Sequence, residues 1–130
     1  MTKRLDRLKK LVQVQEQLKT LHEVRHAGFL ADAISAEAEG RSLIERFNAP
    51  DSLSGMFPEL YHRRIADADT RRQANLDSAR AEAGLVMTAT VRGNMVERAY
   101  RDERRSDERQ ESDRERLELI IQKRDAGQES

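Results

Sequence analysis

The chain has 130 residues, 37% hydrophobic and 37% charged, with 4% aromatics and no Trp, an apolar supply that restricts it to a single domain with a thin core. Its 24 Lys and Arg are balanced by 24 Asp and Glu, so it lacks the long-range field that draws basic proteins to nucleic acid or acidic membranes. With no cysteine it has neither disulfides nor thiol ligands, which fits a reducing, cytoplasmic setting, and it contains no signal-peptide core and no run of 18 apolar residues.

The first predicted element is a helix over about 2–47. In "RLDRLKKLVQVQEQLKTL" the apolar residues Leu11, Val14, Leu18 and Leu21 step by three, four and three, with Leu5 and Leu8 extending the stripe backwards and Lys and Arg on the other face. "FLADAISAEAEGRSLIERF" continues the helix-favouring composition to Phe47. Gly28 and Gly40 are weak points costing about 1 kcal/mol each, and a bend is expected near Gly40.

Inside this helix His22-Glu23-Val24-Arg25-His26 spells HExxH, in which two imidazoles one turn apart can ligate zinc while the glutamate acts as general base. A zinc peptidase also needs a third protein ligand and a desolvated pocket. The following "AGFLADAI" lacks the third histidine of the longer metzincin pattern, and Glu45 would lie about 28 Å away along a continuous helix. The expectation is therefore a half-buried histidine facing an Ala-rich arm, with no metal, no cofactor and no catalytic residue; a small zinc peptidase that holds its metal through His22 and His26 is the less favoured alternative.

The segment 48–57, within "NAPDSLSGMFP", is the one clear break, and Pro58 suits the first turn of a second helix over about 58–126. In that helix Tyr61, Ile65, Ala68, Arg72, Leu76, Ala79, Ala83 and Val86 recur at heptad-like spacing, with Arg72 interrupting the seam. The β-branched cluster "VMTATV" is too isolated to build a sheet. Two long amphipathic helices around one break predict an all-α fold. The expected form is an antiparallel coiled-coil hairpin in which positions summing to about 105 are neighbours. Leu18, Leu21 and Phe29 would then face Ala83 or Gly84 and Leu76, while Leu5, Leu8 and Val12 would face Tyr100, Val96 and Gly93.

Beyond about residue 104 the second helix outruns the first. There "RDERRSDERQESDRER" has 13 charged residues of 16, with opposite charges at three- and four-residue spacing, as a solvated single helix requires. The apolar cluster Leu117–Ile121 returns beyond it without an intramolecular partner. Six Lys or Arg against Asp6 and Glu16 make the first 20 residues a local basic patch, and no aromatic interleaves with it, which disfavours nucleic acid as a partner.

The leucine-striped "LDRLKKLVQVQEQLKTLHE", the aromatic-bearing "MFPELYHRRI" after the break and the charge-dense "ERAYRDERRSDERQESDRERLELI" together resemble the FliJ/YscO family. These are the central-stalk proteins of flagellar and type III secretion export ATPases. The resemblance implies a non-enzymatic two-helix stalk that binds and stimulates a hexameric export ATPase, contacts the export gate and export chaperones, and meets the membrane only through those partners. By position it places ring-facing residues at Lys3, Arg4, Arg7, Arg101, Arg104, Arg105 and Arg109, and a gate or chaperone contact at Phe57, Leu60 and Tyr61. A generic coiled-coil adaptor or chaperone shares every feature except ring binding.

Overall fold

The computed structural model describes residues 3–129. Helix α1 spans Lys3–Asn48, a short 3-10 turn covers Leu53–Gly55, and helix α2 spans Pro58–Glu129, with no strand among the described residues. The two long helices pack against each other as a helical hairpin. Contacts divide the chain into two compact units: a tip unit, Gln17–Ala89, and a terminal unit, Met1–Glu16 with Thr90–Ser130.

In the tip unit, α1 stops at Asn48 because Pro50 cannot continue the ladder of N–H donors. The turn takes over the orphaned carbonyls: the Ala49 N–H donates to Arg46 O at 3.3 Å and the Ser54 hydroxyl donates to Phe47 O at 2.8 Å. Ser52 Oγ accepts from the Ser54 N–H at 2.9 Å, and the Met56 and Phe57 N–H groups both donate to Leu53 O, at 3.0 and 3.1 Å. α2 then begins at Pro58, where a missing N–H costs nothing.

The packed positions of α1 in this unit are Lys19, His22, His26, Phe29, Ala33, Ala36, Gly40, Leu43 and Phe47. Those of α2 are Tyr61, Ile65, Ala68, Arg72, Asn75, Ala79, Glu82, Val86 and Ala89, with Leu76, Ser78 and Ala83 half-buried alongside. Both rows alternate steps of three and four, the 3.5-residue period of a coiled-coil seam. Phe47 meets Tyr61 edge-on with ring centroids 5.9 Å apart, and a Cβ built on Gly40 would lie 3.7 Å from Ala68 Cβ, so facing positions add to 108.

That register corrects the expected sum of about 105. Pro58 opens the first turn of α2, and the chain must advance to Tyr61 before a side chain points back at Phe47. The stripe also moves. Leu18 and Leu21 are exposed, and the neighbouring Lys19 and His22 are packed in their place. One residue is about 100° of helix rotation, enough to exchange face for flank. The register sets Phe29 opposite Ala79, large against small, but Gly40 meets Ala68, small against small, and at the tip Phe47 meets Tyr61, large against large.

In the terminal unit, Leu5, Leu8, Val12 and Gln15 of α1 lie along Gly93, Val96, Tyr100 and Glu103 of α2. A Cβ on Gly93 would sit 3.6 Å from Gln15 Cβ, so Gly93 faces Gln15 and not Val12. Leu11 and Val14 are exposed. Arg4 Nε reaches Glu103 Oε2 at 3.5 Å. From Glu108 to Gln128 every residue of α2 is exposed, including Leu117, Leu119, Ile120 and Ile121. Among the described residues no helix is long and apolar enough to cross a membrane.

Candidate functional site

Three places hold the residues that the sequence singles out: the HExxH segment, the charged end of the terminal unit, and the hairpin tip. His22 and His26 are successive seam positions of α1, both half-buried and both turned toward α2. His22 Nδ1 lies 2.6 Å from Glu82 Oε2, with the two side chains only 16% and 12% exposed. Arg25 Nη1 approaches the other carboxylate oxygen at 3.9 Å. Glu23, the would-be general base, points outward and sits 3.9 Å from Lys19 Nζ.

The arrangement binds one helix to the other through a hydrogen-bonded polar layer. A buried carboxylate is tolerated only when its oxygens are satisfied, and here an imidazole takes one and a guanidinium approaches the other. Among the described residues no three His, Asp or Glu side chains are grouped so as to hold a metal ion. Glu82 is the residue the sequence pattern passed over. Its signal was its place in the Ala79, Glu82, Val86 row, which competes with the equally regular Ala79, Ala83, Val86 row.

The expected ring-facing residues lie on the two arms of the terminal unit. Lys3, Arg4 and Arg7 on α1, and Arg101, Arg104, Arg105 and Arg109 on α2, are all exposed. Arg4 is paired with Glu103, Arg101 with Glu97 at 2.6 Å, and Arg104 with Glu108 at 3.2 Å. Lys3, Arg7, Arg105 and Arg109 make no ion pair among the described residues. A hollow between the arms is lined by Leu5, Lys9, Tyr100 and Arg104 together with the carboxylates Asp6, Asp107 and Glu108. The surface there is a mixture of both charges, and each exposed pair is worth at most about 1 kcal/mol.

At the tip, Phe57 and Leu60 are exposed and Tyr61 is half-buried against Phe47. Phe57 occupies the position just before the first helical residue, and its carbonyl accepts the Tyr61 N–H at 3.4 Å. That position usually holds Ser, Thr, Asp or Asn, whose oxygen caps a free N–H. The 3-10 turn brings Leu53 beside Phe57 and Leu60, and the ends of the two helices contribute Leu43, Arg46 and Arg64 to the same groove. Leu53, Arg46 and Arg64 escape a sequence reading because the turn between them has no periodicity to follow.

No family model, no curated protein and no solved structure matches this chain.

Proposed function

We propose that the protein is a non-enzymatic coiled-coil stalk or adaptor of a flagellar or type III protein export apparatus, binding and stimulating the export ATPase ring. The supporting observation is the terminal unit, where α2 continues from Glu108 to Gln128 with every side chain in solvent after its seam with α1 has ended. A lone helix of closely balanced charge can enter a ring without binding tightly to any one wall. Its stiffness comes from the intrahelical pairs Arg104 with Glu108 and Arg116 with Asp113. Lys3, Arg7, Arg105 and Arg109, which make no ion pair among the described residues, supply the contacts that orient it. Phe57, Leu60 and Tyr61 are the proposed contact for the export gate or for export chaperones, and the cytoplasm is the proposed location.

The test is ATP hydrolysis by a purified hexameric export ATPase with increasing amounts of this protein. Stimulation saturating near one copy per ring, lost on Arg105→Glu with Arg109→Glu, is the expected result. An unchanged rate together with no co-sedimentation would remove the stalk reading. The exposed Leu18, Leu21 and Val24 on α1 of the tip unit favour the generic adaptor as the second reading, since they offer a further helical partner a flank to pack on.

A further inference from the structure

The geometry points to the hairpin tip as a docking groove for a short apolar segment that carries carboxylates. The inference rests on the tip being a partner contact and adds the chemistry of what it takes. Four large apolar side chains crowd the turn in solvent: Leu53 is 60% exposed, Met56 72%, Phe57 50% and Leu60 44%. Turns are ordinarily built from small and polar residues, so an apolar group of this size on a turn is unpaired surface of the kind that marks a binding site. Below them Leu43 and Tyr61 form the floor of a groove of about 280 Å³, with room for one or two aliphatic or aromatic side chains.

The rim decides the partner's charge. Arg46 and Arg64 both line the groove, on the border it shares with a neighbouring hollow; both are exposed, and neither makes an ion pair among the described residues. The neighbouring hollow adds Arg71, Glu39 and Asp67 to the same two arginines. Glu39 is already held by Arg71 at 2.7 Å, which leaves Asp67 as that hollow's one carboxylate outside an ion pair, against two guanidiniums that are unpaired among the described residues. A guanidinium beside an apolar floor suits a carboxylate presented next to a buried side chain, because its planar fork can bind both oxygens at once. A lysine-bearing segment would meet like charge at both arginines.

The groove is also preformed. The turn beneath it is pinned by the Ser54 hydroxyl on Phe47 O, by the Ser54 N–H on Ser52 Oγ and by two N–H groups on Leu53 O. Little ordering of the loop is left to oppose binding.

The experiment uses the full chain and two fluorescein-labelled synthetic peptides that share one alternating Leu/Phe pattern, one with Glu and Asp between the apolar residues and one with Lys. Anisotropy at low salt is expected to show the acidic peptide binding roughly tenfold or more tighter than the basic one. Arg46→Glu with Arg64→Glu should reverse that order. Phe57→Ser should weaken the acidic peptide while circular dichroism stays unchanged; if that variant loses helix, Leu53→Ser gives the same reading from the turn. Equal binding of both peptides, or indifference to the double charge reversal, overturns the inference. So does sedimentation showing a dimer that Phe57→Ser dissolves, since the groove's occupant would then be a second copy. Peptide binding without any effect on an export ATPase would leave this inference standing and remove the stalk.

Discussion

Within residues 17–89 the α1 side of the seam is apolar toward the tip and polar at the opposite end. From Phe29 to Phe47, α1 presents Ala33, Ala36, Gly40 and Leu43, and the backbones come close enough that a Cβ on Gly40 would touch Ala68. From Lys19 to His26 the same row is filled by a lysine and two histidines, and α2 answers with Glu82. The apolar end gains free energy from contact and area. The polar end recovers through hydrogen bonds part of what it loses in desolvation, so it restricts which partners fit more than it adds stability. Two stretches of one helix pair with the same period therefore serve different ends.

Urea unfolding can separate them. The largest loss is expected for Leu43→Ala, about 3 kcal/mol, since a buried leucine is removed from the apolar end. Glu82→Ala should cost about 2 kcal/mol by leaving His22 without its acceptor. A smaller loss at Leu43 than at Glu82 would erase the distinction. Replacing both members, His22→Leu with Glu82→Leu, should instead raise stability by about 1 to 2 kcal/mol; a net loss would show the polar layer to be a true source of stability. Gly84→Ala, where the added methyl meets open space, should gain about 1 kcal/mol from helix propensity. Arg71→Ala, breaking an exposed pair with Glu39, should move the midpoint by less than about 0.5 kcal/mol.

The two helices and the break between them were legible because a 3.6-residue rhythm and the Pro50 to Pro58 interval are local signals. The seam was less so. Leu11, Val14, Leu18 and Leu21 form a regular row, but Val12, Gln15, Lys19 and His22 form another, one residue on, and it is this second row that faces α2. Hydropathy selects the first row. The requirement that Leu43 and Phe47 share one unbroken heptad with Leu5 and Leu8 selects the second. Two seam positions four residues apart also look like two metal ligands, and only the lack of a third ligand within reach of His22 and His26 argued in the sequence for packed histidines. At the tip, Phe57, Leu60 and Tyr61 could be singled out by their apolar character, whereas Arg46 and Arg64 join them only through the path of the turn.

The solvent-clad stretch of α2 beyond Asp107 has a thermal consequence. It has no packed face to lose, and its helical state rests on propensity and on screened charge pairs worth a few tenths of a kcal/mol each. Warming or added salt should fray it gradually, giving far-UV ellipticity a sloping baseline well below the cooperative melt of the paired arms. A partner that sheathed this stretch would flatten that slope.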